Sequence, residues 1–81
     1  MTTKQDIRNW FNLGSRAGAS HLLIVLDEFS YDEFPMYAVD VGYLESLLKE
    51  YEKKDMYRVL EIYNLHLDRE EQLASERCWN V

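Results

Sequence analysis

The chain has 81 residues, of which 47% are hydrophobic and 14% aromatic, and a formal net charge of −6 at pH 7. Such a length holds one small domain with a thin core, and the hydrophobic content lies well above the disordered range. The acidity speaks against a phosphate-binding face for nucleic acid. The lone Cys78 excludes an internal disulfide framework, and no zinc-type Cys/His set is present.

The opening Met-Thr-Thr-Lys-Gln-Asp lacks the apolar stretch of a signal peptide. The longest apolar run, Leu22 to Leu26, is far below the roughly 20 residues needed to span a bilayer. A soluble protein of the reducing cytoplasm is therefore expected.

In chain order, Thr3 is a predicted N-cap with Asp6 in the first turn, near the positive end of the helix dipole. Ile7, Trp10, Phe11 and Ala17 recur at helical spacing. Gly14 lies on the same face and suits a close backbone approach, and Gly18 is a natural stop. These signals predict a helix from about Lys4 to Ala17, with Trp10 expected to meet Leu47 or Leu48. Leu22 to Leu26 is apolar at every position, the pattern of a central strand covered on both faces. Pro35 then opens a second strand over Met36 to Val39. The eight-residue link between them, Asp27 to Phe34, is longer than a tight hairpin turn.

Asp40 is a predicted cap of a second helix, whose stripe is Leu44, Leu47, Leu48 and Tyr51, with Lys53 and Lys54 at its C-terminal end. Residues 56–63 carry two patterns. Met56, Val59, Leu60 and Tyr63 fit a helix, whereas Tyr57, Val59, Glu61 and Tyr63 alternate with Met56, Arg58, Leu60 and Ile62 as in a strand. The β-branched and aromatic content favours the strand. Asp68-Arg-Glu-Glu71 is a capping-box-like start for a last helix over Arg69 to Arg77. The order αββαβα predicts one α+β domain over residues 1–81, with a three-stranded, mainly antiparallel sheet and helices packed on it.

The link holds four carboxylates, Asp27, Glu28, Asp32 and Glu33, and three aromatics, Phe29, Tyr31 and Phe34. From Ser20 to Leu48 there are six carboxylates and no Lys or Arg. Aromatic side chains are enriched in binding hot spots and attract cations, most of all beside acids. The first expectation is thus a non-enzymatic module that binds a protein with a basic surface. Its contact set is Glu28, Phe29, Tyr31, Asp32, Glu33 and Phe34, with at least one of the aromatics folded back on the core. A second copy, met through the loop or a sheet edge, is the other partner considered. The bland alternative is a solvated loop that only aids solubility.

A second function class is a divalent-metal protein or hydrolase built on Asp27, Asp32 and His21. Carboxylates are hard ligands for Ca²⁺ or Mg²⁺, but the spacing lacks the alternating acids and the glycine of an EF-hand. Acid–base work on a sugar needs two carboxyls fixed across a pocket. The first reading therefore assigns no catalytic residue, metal or cofactor. His21 sits at the mouth of the first strand and His66 just after the third. They are expected as loop-proximal side chains that cap backbone groups. The alternative is a switch or ligand role, if neighbouring strands bring them to each other or to Asp40. Cys78 is expected as a small apolar residue of the last helical turn. Asp27, directly after the buried strand, is expected to accept loop N–H groups.

The block Asp27-x-Phe29-x-Tyr31-x-Glu33-Phe34-Pro35-x-Tyr37 resembles one in small uncharacterised bacterial and phage proteins. The resemblance extends to Trp10-Phe11, to Gly18-Ala-Ser-His21 before the first strand, and to the Met-x-Arg-Val-x-Glu-x-Tyr segment at Met56 to Tyr63. It implies a single αββαβα domain with a strand at 56–63, and it carries over no catalytic role. This chain has Leu26-Asp27 where that family usually has Cys-Asp, and Phe34 where Tyr often precedes the proline. A phage or mobile-element setting sharpens the first expectation to an inhibitor of a nucleic-acid-binding host machine, with carboxylates standing in for phosphates.

Overall fold

Four consecutive side chains, Leu22, Leu23, Ile24 and Val25, are completely withdrawn from solvent. Successive strand side chains point to opposite faces, so such a run needs cover on both. The computed structural model describes residues 2–81. It supplies that cover with α1 (Lys4–Arg16), β1 (His21–Asp27), β2 (Asp32–Ala38), α2 (Val41–Glu52), β3 (Tyr57–Asn64) and α3 (Arg69–Leu73). The sheet order is β2-β1-β3, antiparallel at both pairings, which places the apolar run in the centre as the sequence predicts.

The helix ends obey their caps. Thr3 Oγ1 accepts from the Asp6 N–H at 3.1 Å, and the Thr3 N–H donates to Asp6 Oδ2 at 3.0 Å. This reciprocal pair satisfies two orphan donors of the first turn. Gly18, at φ +80, ends α1 in a conformation that costs glycine little. Asp40 and Asp68 cap α2 and α3 by accepting from the N–H groups of Tyr43 and Glu71.

Two half-cores result. On one face Ile7 and Phe11 of α1 pack with Leu22, Ile24, Tyr63, Leu65, Leu73 and Cys78. On the other, Leu44 and Leu47 of α2 pack with Leu23, Val25, Ala38 and Ile62. Trp10 therefore meets neither Leu47 nor Leu48: its helix is across the sheet from α2, and its half-buried indole packs on the α1 side. Ala17 caps α1 and is exposed rather than packed.

β2 begins at Asp32, several residues before the expected Pro35–Met36 start, and pairs with β1 along its whole length. Residues 56–63 do form a strand, but with a register shift. Ile24 faces Glu61 and Val25 faces Val59, which leaves Leu60 as a bulge. Tyr57 and Val59 consequently join Ile62 on the α2 side, while Tyr63 goes to the α1 side.

α3 stops at Leu73 instead of Arg77. At and beyond its end, Lys4 Nζ donates to Leu73 O and to Ser75 O. Buried Gln72 then anchors the C-terminal tail to β3. Its Oε1 accepts from Asn64 N at 2.8 Å and Asn80 Nδ2 at 2.9 Å, and its Nε2 donates to Asn64 O at 2.9 Å. Cys78 accordingly lies in an extended tail and not in a helical turn, and the tail bridges β3 at Ile62 through Trp79. Among the described residues no helix is long and apolar enough to cross a membrane.

Gly14 sets how closely α1 rests on the sheet. A Cβ there would meet the Tyr37 ring at 2.6 Å and Leu65 at 2.9 Å. The ring cannot easily give way, because its hydroxyl donates to Trp10 O at 2.8 Å. Gly14→Val should cost about 1–3 kcal/mol and lower the melting temperature by at least several degrees. Gly42 has only Asp40 Oδ1 at 3.4 Å from such a Cβ. Gly42→Ala should instead raise stability by about 0.4–1 kcal/mol. Thermal unfolding followed by circular dichroism checks both signs.

Candidate functional site

The eight-residue link expected from the sequence contracts to a four-residue turn, Glu28 to Tyr31, between β1 and β2. Asp27 builds it. Its Oδ1 accepts from the N–H of Phe29 at 3.0 Å and of Ser30 at 3.4 Å, and its carbonyl accepts from the Tyr31 N–H at 2.7 Å. This is the backbone-binding role expected for Asp27. The turn is also tied sideways: the Glu28 N–H donates to Met56 O at 2.7 Å, and the Glu28 carboxylate faces Arg58 at 3.6 Å.

Chain reversal with no glycine in the turn forces one residue into the left-handed region. That residue is Tyr31, at φ +61. An L-residue with a Cβ is destabilised by roughly 1–2 kcal/mol there. The geometry throws two aromatic rings outward: Phe29 is 81% and Tyr31 is 78% exposed. Phe34, the third aromatic of the expected contact set, instead packs on the α2-side core, edge to face with Tyr57.

Strand alternation sorts the rest. Phe34, Met36 and Ala38 go to the α2 side and Tyr37 to the α1 side. Glu33 shares the parity of Tyr37 and so lies on the α1 side, toward the first turns of α1. There Thr2, Asp6, Trp10, Tyr31, Asp32 and Glu33 line an open groove of about 280 Å³. Asp6 and Trp10 belong to the site but were not in the expected set. Their spacing signals a cap and a core stripe, and only the docking of α1 across β2 brings them to the hairpin.

The Asp27, Asp32 and His21 trio is not assembled. Asp27 and Asp32 are register partners at one end of the hairpin, whereas His21 pairs with Ala38 at the other end. Six residues of strand, roughly 20 Å at about 3.3 Å each, separate them. Among the described residues no three His, Cys, Asp or Glu side chains converge in a metal-holding group. Cys78 is buried, accepts from Asn80 Nδ2 at 3.5 Å and donates to Gln72 Oε1 at 3.6 Å. Burial pushes its thiol up to about 11, which keeps it protonated and unreactive at neutral pH.

Comparison of the chain with protein-family models, with curated proteins and with solved structures gives no match.

His21 is 3% exposed. Its Nδ1 lies 2.7 Å from Ser20 Oγ, and its Nε2 has no partner. Burial first, and the charge of His66 second, lower its pKa below 6.5. The neutral ring is thus the folded form, and stability is full above the unfolded value. As pH falls from 6.5 toward the folded value, the unfolded chain gains a proton that the folded one refuses, and stability drops. Urea midpoints should therefore decline between about pH 7 and pH 5, and the decline should shrink in His21→Gln. An equal slope in both proteins would assign it to other groups.

Proposed function

We propose that this chain is a non-enzymatic binding module of the cytoplasm, which uses the β1–β2 hairpin tip to hold a protein with a basic surface. One observation carries the reading: Phe29 and Tyr31 stand almost fully exposed among carboxylates, and Tyr31 does so on a backbone that disfavours it. Exposure of two adjacent large apolar side chains gains the fold nothing. A residue held in a costly conformation at an exposed tip points to a role outside the fold. A nucleic-acid-binding protein is one fitting partner, since its phosphate-binding face would meet carboxylates in place of phosphates.

The sheet edges suit such a role less. Pro35 sits within the outer strand β2, where it removes a donor from the open edge. On the far side the tail covers β3 at Ile62, and Arg77 Nε donates to Leu60 O at 3.1 Å.

The test compares the parent with a Phe29→Ser/Tyr31→Gly variant in affinity capture from host lysate, with Phe34 untouched. The variant should melt no lower than the parent, because glycine relieves the left-handed strain. It should lose a specific basic protein that the parent retains at low salt and releases as salt rises. Equal capture by both proteins would remove the hairpin tip as the interface.

A further inference from the structure

Among the described residues, several aromatic rings and carboxylates are met by the protein's own cations. Lys54 Nζ lies 5.1 Å from the Tyr51 ring and 5.6 Å from the Tyr57 ring, and pairs with Glu50 at 3.0 Å. Arg77 lies over Trp79 at 5.1 Å. Arg8 and Arg69 both bind Glu70, and Arg58 faces Glu28. The groove between the hairpin and α1 has both ingredients, Trp10 and Tyr31 with Asp6, Asp32 and Glu33, yet among the described residues no Lys, Arg or His side chain lines it. Among the described residues, neither Asp32 nor Glu33 takes part in an ion pair. Asp6 uses one oxygen on the Thr3 N–H, which leaves acceptor sites on the other.

We infer that this groove receives an arginine side chain of the protein partner. The inference rests on the reading of the hairpin as a partner-binding surface and names what the partner must carry. Charge complementarity favours a cationic side chain: the groove is open, and acids and aromatic rings make up most of its walls. Shape favours arginine over lysine. A guanidinium is planar, stacks on indole and phenol faces, and spreads five N–H donors among several carboxylates. An ammonium offers a compact charge that keeps its hydration more strongly. The N-terminal end of α1 opposes a cation here, but the Asp6 carboxylate in its first turn offsets that partial positive charge.

The test uses nitrogen-15 protein and three capped peptides, Ac-Gly-Arg-Gly-NH₂, its lysine counterpart and its citrulline counterpart. The arginine peptide should shift the Trp10 indole N–H and the backbone signals of Tyr31, Asp32 and Glu33. The lysine peptide should bind about threefold or more weakly, and neutral citrulline should leave the signals in place. Asp32→Asn/Glu33→Gln should abolish the response while its melting temperature stays within about 2 °C of the parent. Phe29→Ser, outside the groove, should keep the response. Equal response to arginine and lysine, shifts scattered over the whole acidic surface, or no shift at all would each overturn the inference. If the Phe29→Ser/Tyr31→Gly variant loses its captured protein while the arginine peptide leaves the groove signals unmoved, the hairpin reading stands and the arginine site falls. If the arginine peptide binds but capture is unchanged in the variant, which lacks the Tyr31 wall of the groove, the partner does not use the groove and the inference falls together with the tip.

Discussion

Everything in this fold answers to one strand that has no polar side. Leu22 to Val25 would expose apolar surface on either face of a two-layer structure. The chain therefore places a helix on each face, in a molecule too small for two full cores. Each half-core is thin, and each is completed by something other than its helix. On the α1 side the completion comes from Leu65, Leu73 and Cys78, held in place by the Gln72 amide. On the α2 side it comes from aromatics at the sheet margin, Phe34, Tyr51 and Tyr57. The abundance of aromatic residues is thus a consequence of size: large rings bury much area per residue where few residues are to hand.

What could be read from the sequence was whatever depends on local chemistry. Thr3, Asp40 and Asp68 sit where short polar side chains satisfy helix N–H groups. Asp27 turns on its own backbone, and the apolar run of β1 leaves a strand little choice but the centre. What stayed hidden depends on register. The bulge at Leu60 shifts the alternation of β3 midway, so Tyr57, Val59 and Ile62 share a face at spacings of two and then three. No single alternation of period two runs through residues 56–63, so the strand pattern there is weakened. The turn was hidden for a different reason. Tyr31 occupies a position that glycine or asparagine normally marks, so the segment reads as a longer loop than it is. The pairing of helices with faces is likewise invisible in periodicity, which says that Trp10 is apolar-facing but not which face it meets.

The same docking of α1 that overturns the Trp10–Leu47 contact creates the groove. Gly14 lets the helix settle on Tyr37, and the Tyr37 hydroxyl fixes the Trp10 carbonyl. The helix thereby brings Asp6 and Trp10 into one groove with Glu33, with Trp10 at the margin of the packed core. A residue chosen for capping and a residue chosen for burial become the wall of a surface site. Neither has a sequence pattern of its own for that second role.

The four hairpin carboxylates divide by what the backbone asks of them. Asp27 accepts two N–H bonds and holds the turn. Glu28 meets Arg58 and ties the turn to β3. Among the described residues, the Asp32 and Glu33 carboxylates have no hydrogen-bond or ion-pair partner, and they stand beside a tyrosine in a backbone conformation that suits glycine better. Stability alone selects against that pair of choices, because unpaired like charges on adjacent residues repel and left-handed tyrosine is strained. On the proposed reading, a cationic partner would reverse both signs at once: it would screen the carboxylates and use the ring that the strained residue projects. In the unbound domain the packing elsewhere has to offset these two costs, and the proposed cation is what would offset them locally.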